Sequence, residues 1–327
     1  MRICIYGAGT IGCFLGAHLA RLPEVELTII ARGATLEALR RDGIRLETAE
    51  GRQAVPVRAT DAPASLPTQE VVFITLKAHQ LPGALDGIAP LLGPETAVVP
   101  PTTGIPYWYF HGLPGPHQGR RLERLDPGGR QWAVLGPERA IGCAFWVGTD
   151  SLGPGAVRQE GAASFPIGEP DGTRSPRLER LHAAMTRAGL RAPVRDNIRG
   201  EIWTKMINSL VWNPIATLTL ATLGEIGAAP DAVALARRMM AEAEAVARAV
   251  GASLPAPAEE RIAWTLSLSR HRMSMLQDLE RGRALEYGVL HDSIIEMRAI
   301  AGMETPTIDA VMALLALRAR IAGVAPG

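Results

Sequence analysis

The sequence predicts an α/β fold, in which an N-terminal domain with a mostly parallel sheet covered on both faces is followed by an all-helical C-terminal domain. Three observations predict it. An apolar run, Ile3 to Tyr6, leads straight into a glycine turn, Gly7-Ala8-Gly9-Thr10-Ile11-Gly12, and then into a helical apolar pattern. Short strand-like runs alternate with helical patterns through the first half, the arrangement that gives a parallel sheet. From Asn197 onward the pattern is helical and no convincing strand intervenes.

The opening strand, turn and helix fit a Rossmann-type dinucleotide site. Gly7 permits the tight turn, Gly9 lets backbone approach a pyrophosphate without a Cβ in the way, and Gly12 lets helix and strand pack closely. Thr10 and Ile11 begin a helix whose N-terminus offers unpaired N–H groups and a partial positive charge. A bare glycine-rich turn is the competing explanation, and the flanking strand and helix count against it. The second strand, Leu27 to Ile30, ends about 20 residues past the glycines, where an acidic side chain would hold a ribose 2′-hydroxyl. Here the chain has Ala31-Arg32-Gly33. A guanidinium suits a 2′-phosphate through charge-assisted hydrogen bonds, so NADP(H) is the favoured cofactor. A solvated surface arginine is the alternative.

Ile44 to Glu47 and Ala54 to Val57, separated by Glu50-Gly51, read as a small hairpin appended to the sheet. Further strands are expected at Val71 to Thr75, Ala97 to Val99 and Ile141 to Val147, with a helix over Leu81 to Leu92. A helix near Pro176 to Ala188 and a short strand near Ala192 to Val194 close the first domain, placed at 1–195. In the second, 196–327, Ala229 to Val250 stops at Gly251, a helix ending near Ala301 stops at Gly302, and Pro306 opens the last helix. Glycine after the last periodic residue and proline in the first turn are the expected signals. Between the sheet strands lies a long segment, Pro106 to Arg130, with Tyr107-Trp108-Tyr109-Phe110, His117 and the basic group Arg120, Arg121 and Arg124. A segment of this length is either a lid or anion-binding flap, or a loop that packs its aromatics against a neighbouring surface or a second subunit.

Composition narrows the class of function. With 327 residues, 47% hydrophobic and 20% charged, the chain can build two domains with full cores. A net charge of +1 leaves no electrostatic footprint for nucleic acid. Cys4, Cys13 and Cys143 show no CxxC spacing and read as reduced core residues of a cytoplasmic protein. Seven dispersed histidines without an HxxxH or Cys/His cluster give no sequence basis for a metal site. The chain opens without the pattern of a secretory signal, and its longest apolar stretch, Leu210 to Leu223, is short of a bilayer span. A soluble enzyme with no membrane partner is the expectation, and a homodimer is left open.

Two stretches of the helical half carry candidate chemistry. Glu201 to Pro214 is a helix that is apolar except for Lys205 and a few small polar side chains. A partly desolvated lysine can donate a proton to a developing alkoxide, although a snorkelling surface lysine gives the same pattern. In Ser274 to Tyr287, Gly282 ends one helix and another begins near Leu285, which puts Glu286 in a first turn. Helix capping alone would account for that glutamate.

Over nearly its full length the chain resembles the ketopantoate reductase family. The resemblance rests on the GAGTIG opening, Arg32, Lys77-Ala78-His79-Gln80, Trp203-Thr204-Lys205, Asn213-Pro214, and Ser274-Met275-Leu276-Gln277-Asp278 followed by Glu286. It implies that NADPH delivers a hydride to the ketone of a 2-keto acid and that Lys205 protonates the alkoxide. It further implies that Glu286 contacts the substrate hydroxyl, that Ser274 helps hold the carboxylate with Asn213 also on the substrate side, and that Lys77 and Gln80 lie beside the cofactor. Two positions depart from the pattern. Where the family usually has Asn-Gly after the fourth strand, this chain reads Thr103-Gly104, and four residues after the lysine it has Ser209 in place of asparagine, with Asn208 one place earlier. Both departures fall on the substrate side. Ketopantoate is therefore the leading substrate, with a different 2-keto acid, or a non-catalytic NADPH-binding regulatory role, as the alternatives.

Overall fold

The computed structural model describes residues 1–101 and 103–325. Two compact units emerge. The first comprises Met1–Thr102, Pro106–Arg121 and Asp126–Ile198; the second comprises Thr103–Ile105, Leu122–Leu125 and Arg199–Gly327. The second unit thus also takes two short segments from within the stretch that the sequence assigns to the first domain.

The first unit begins with β1 (Arg2–Tyr6), α1 (Thr10–Leu19), β2 (Glu26–Ile30) and α2 (Gly33–Asp42), followed by β3 (Ile44–Thr48), β4 (Gly51–Val55), β5 (Arg58–Thr60), β6 (Val71–Ile74), α3 (Leu85–Ile88) and β7 (Ala97–Val99). Strands β5-β2-β1-β6-β7 form one sheet in that order, parallel throughout. Its central strands are buried almost end to end; Ile3, Ile5, Phe73 and Val99 are inaccessible to solvent, as a parallel sheet covered on both faces requires. Cys4, Cys13 and Cys143 are free and buried in this unit.

Four expectations are corrected. The stretch 81–92 is a broken string, with 3-10 turns at Pro82–Ala84 and Ala89–Leu91 on either side of the single turn α3. Pro82 and Pro90 supply no N–H for a continuous ladder, and Gly83 and Gly87 weaken what remains. The hairpin β3-β4 forms at the expected place, with Glu47 opposite Arg52, but it is not appended to the parallel sheet. It joins a second sheet, ordered β4-β3-β10-β9, once the chain has formed α4 (Arg130–Leu135), β8 (Gly142–Cys143), β9 (Trp146–Gly153) and β10 (Ala156–Ser164). β10 runs parallel to β3 and antiparallel to β9. The expected strand at 141–147 is accordingly split between β8 and β9. The unit ends with β11 (Ile167–Gly168), paired with β8, and α5 (Pro176–Arg187). The expected strand near 192–194 is reduced to one bridge, Val194 to Ile167.

The second unit is helical: α6 (Ile198–Thr219), α7 (Leu223–Gly227), α8 (Pro230–Ala249), α9 (Ala258–Ser267), α10 (Ser274–Glu280), α11 (Tyr287–Ala301) and α12 (Pro306–Ile321). α11 ends at Gly302, whose left-handed backbone (φ +65°) makes the expected stop. Among the described residues no helix is long and apolar enough to cross a membrane.

The long segment after Pro106 is built into the core. Tyr107, Trp108, Tyr109 and Phe110 are all at most 3% exposed, and the Tyr107 hydroxyl donates to the Gly136 carbonyl at 3.1 Å. Arg121 lies over the Trp132 ring. In the second unit Arg124 pairs with Asp292 at 2.9 Å and gives its backbone N–H to Glu296 at 2.5 Å. Of the two expectations for this segment, packed aromatics are what the structure shows.

Candidate active site

The strand order reverses between β1 and β6, whose carboxyl ends lie side by side. Ligands of open α/β sheets bind outside the carboxyl ends at such a reversal. The turn after β1 is shaped for a phosphate group. Gly7 has φ +119°, a conformation that side chains rarely adopt. At Gly12 a Cβ would fall onto the Gly7 carbonyl oxygen and 2.6 Å from Thr75 Oγ1, so helix and turn meet more closely than any side chain permits. At Gly9 a Cβ would meet nothing within 4 Å, which leaves open space beside the turn.

That open space faces a helix start. Gly9 is the N-cap of α1, no acidic side chain lies in the first turn, and the first intrahelical hydrogen bond runs from the Cys13 N–H to Gly9 O at 2.9 Å. The amides of Thr10, Ile11 and Gly12 precede it, so N–H groups and the positive end of the helix dipole serve an anion there. A pyrophosphate fits this donor set. Thr75, which sequence reading passed over, donates its hydroxyl to the Gly7 carbonyl at 2.6 Å and so locks the turn to the end of β6.

Arg32 sits at the end of β2 as the N-cap residue of α2, exposed to solvent. The positive charge of Arg32 opposes the rise that burial imposes on the Tyr6 hydroxyl pKa. Lys77 is half-buried at the head of the turn that follows β6, and the Gln80 side-chain oxygen accepts its backbone N–H at 3.2 Å. Gly7 to Gly12, Arg32, Lys77 and Gln80 all follow the carboxyl ends of neighbouring strands of one sheet.

In the helical unit, Lys205, Ser209 and Asn213 stand at successive turns along α6, the spacing that aligns side chains on one face. Lys205 and Ser209 are half-buried, whereas Asn213 is 4% exposed. The Asn213 side-chain oxygen accepts the Met275 N–H at 3.2 Å. Asn213 is thereby tied to the start of α10, whose first residue, Ser274, is exposed. Asn208 does not stand in for the asparagine missing at 209. Its side-chain oxygen accepts the Thr265 hydroxyl at 2.9 Å, which commits it to α9.

Glu286 is displaced from the expected first turn. It is the residue before α11 and makes no side-chain cap hydrogen bond, so helix capping does not account for it. Its Oε1 is shielded from solvent. Thr103 belongs to the same unit through its neighbours. The Ile105 N–H donates to Ser293 Oγ at 2.9 Å, Ser293 donates to the Val289 carbonyl at 2.7 Å, and Gly104, at φ +85°, lies so close to α11 that a Cβ would meet Ser293 Oγ at 2.5 Å. The helix that Glu286 precedes therefore also holds the segment that carries Thr103.

A glycine cradle for pyrophosphate, with an arginine where an acidic residue would hold ribose, defines a nicotinamide-dependent oxidoreductase. The chain matches the models described as ketopantoate reductase PanE/ApbA over residues 3–105 and ketopantoate reductase PanE/ApbA C terminal over residues 197–319. It belongs to the ketopantoate reductase PanE/ApbA family. A 2-dehydropantoate 2-reductase of Mesorhizobium japonicum is 45% identical over 96% of this chain and 97% of its own length. A solved structure from Ralstonia solanacearum MolK2 is similar with a TM-score of 0.92 at 38% identity, covering 99% of both chains. A D-mandelate dehydrogenase solved with NADH and anilino(oxo)acetate shares the fold, with a TM-score of 0.83 at 20% identity over 99% of this chain and 100% of the other.

Proposed function

We propose that this protein is an NADPH-dependent 2-keto acid reductase whose substrate is ketopantoate, reduced to pantoate. The observation that carries the reading is the tie between α6, which bears Lys205, and the start of α10, which bears Ser274, made by Asn213. It gives the expected acid and the expected carboxylate-holding residue one rigid support, the kind of preorganisation a positioned proton transfer needs. The 45% identity with a 2-dehydropantoate 2-reductase supports ketopantoate in particular.

When bound, the cofactor supplies a hydride to the ketone carbon. Lys205 as its ammonium gives a proton to the alkoxide oxygen so formed, and solvent returns one to the amine. Ser274 contributes a hydroxyl to the substrate carboxylate and Glu286 an acceptor to the substrate hydroxyl. Arg32 favours NADPH over NADH through the 2′-phosphate. The buried, reduced cysteines suit a cytoplasmic location.

A second reading, a different 2-keto acid, is favoured by Thr103 and Ser209, each shorter than an amide side chain and unable to offer both a carbonyl and an NH2 group. Purified protein given a panel of 2-keto acids with NADPH, followed at the nicotinamide absorbance with product identified by mass, tests both. The proposal expects ketopantoate to be reduced to pantoate. Turnover confined to another keto acid selects the second reading, and binding of NADPH without any turnover identifies a non-catalytic protein.

A further inference from the structure

The turn Gly7-Ala8-Gly9 between β1 and α1 is tied back at each of its carbonyls. Gly7 O accepts the Thr75 hydroxyl at 2.6 Å, Ala8 O accepts the Cys13 thiol at 3.5 Å, and Gly9 O accepts the Cys13 N–H at 2.9 Å. Burial pushes the Cys13 thiol up to about 12, so it keeps the proton that it donates. A trans peptide unit points its C=O and its N–H in opposite directions. Fixing these carbonyls therefore turns the N–H groups of Ala8, Gly9 and Thr10 away from the donors that hold them. Among the described residues no protein acceptor takes the N–H groups of Ala8 through Gly12. An anion seated on such a run meets donors alone.

Thr75 is itself placed by the sheet. Its N–H donates to the Tyr6 carbonyl at 3.0 Å, which carries the β1–β6 ladder one residue further, and its branched Cβ leaves few rotamers. A Cβ at Gly7 would lie 3.1 Å from Leu76 N and 3.2 Å from the Thr75 carbonyl carbon, and one at Gly12 would lie 2.6 Å from Thr75 Oγ1. The hydroxyl thus stands where strand end, turn and helix start meet. We propose that Thr75 is a positioning residue for the cofactor pyrophosphate, its hydroxyl holding the Gly7–Ala8 peptide with the carbonyl turned inward and the N–H outward. Gly7 has no Cβ to resist a flip of that peptide. Without the hydroxyl its buried oxygen loses a partner, and a flip would set a carbonyl lone pair against the phosphates. The inference rests on the dinucleotide reading given above and on no choice between NADPH and NADH, since both carry the pyrophosphate.

The test is the dissociation constant, measured without substrate by calorimetry, of NADPH, NADH and adenosine 2′-monophosphate, which carries the adenosine and the 2′-phosphate but no pyrophosphate. Thr75→Val keeps the shape of the side chain and exchanges only the hydroxyl for a methyl group. It is expected to weaken NADPH and NADH by the same factor, about three- to twentyfold, and to leave adenosine 2′-monophosphate unchanged. Thr75→Ser, which keeps the hydroxyl, is expected to bind all of them as the unaltered protein does. Thr75→Ala repeats the loss with a smaller side chain, in case valine disturbs the turn. Unaltered binding of both dinucleotides by the valine and alanine variants overturns the proposal. So does an equal loss of adenosine 2′-monophosphate, which marks a general disturbance of the sheet end. Arg32→Ala is expected to give the opposite pattern, weakening NADPH and adenosine 2′-monophosphate while sparing NADH. If it does not, the NADPH reading fails, while an equal loss of NADPH and NADH on Thr75→Val still upholds the role of Thr75.

Discussion

Lys205 and Thr103 separate chemistry from recognition. Replacing Lys205 with alanine is expected to leave NADPH binding intact and to lower turnover by about two to four decades, the range for a positioned acid or base. Cofactor titration beside steady-state kinetics checks it, and near-normal turnover rejects the assignment. Thr103 is held by Gly104 and Ile105 against α11, so Thr103→Asn would place an amide on an already fixed backbone. The expected outcome is a lower KM for ketopantoate, by roughly tenfold, with kcat little changed. Should the unaltered protein already show a low KM that the substitution does not improve, hydroxyl for amide costs nothing here. Backbone geometry set locally was legible in the sequence, as at Gly7 and Gly12, because a turn and a helix start are decided within a few positions. Roles set by a distant partner were not. Nothing near Asn213 announces Met275, 62 positions away.

At the scale of elements, helix ends decide stability. α12 has no cap from its own Thr305, whose hydroxyl accepts Arg298 at 2.6 Å instead. The carboxylate of Glu242 on α8 replaces that cap, accepting the N–H groups of Thr307 at 2.9 Å and Ile308 at 3.0 Å. Glu242→Ala is expected to cost about 1–2 kcal/mol, read from the urea midpoint. α6 is followed directly by Leu220, which takes φ +61°, uncommon for a residue with a side chain, while 47% exposed. Leu220→Gly should therefore raise stability by about 1 kcal/mol in the same assay. The helices α8, α11 and α12 were legible because periodicity, glycine stops and proline starts agree. The stretch 81–92 misled, since its apolar spacing is helical while its prolines and glycines break the ladder. The partner strand of β3 was hidden as well, because the pairing of Arg45 with Ala156 is written in neither segment alone.

For the molecule as a whole, two half-buried histidines, His18 and His291, are expected to contribute to the acid limit of stability. Burial lowers the pKa of His18 below 6.5, outweighing the Ala188 carbonyl that accepts from its ring, and burial does the same at His291 despite Asp309 and Asp292 nearby. In both cases the unfolded chain binds the proton more readily, so stability is fully present above about pH 6.5 and falls as the pH drops through the window below it. Thermal midpoints measured from pH 7.5 to 5 are expected to decline, and a His18→Gln/His291→Gln variant should flatten the curve. A decline unchanged in that variant assigns the acid limit to other groups. The anchorage of Ile105 on Ser293 spans 188 positions. During synthesis Thr103 emerges long before the helix that must hold it exists, so the parallel sheet can form while this recognition residue is still unplaced. On refolding, catalytic competence is thereby expected to trail the recovery of cofactor binding, with assembly of the reaction centre as a late event in the life of each chain.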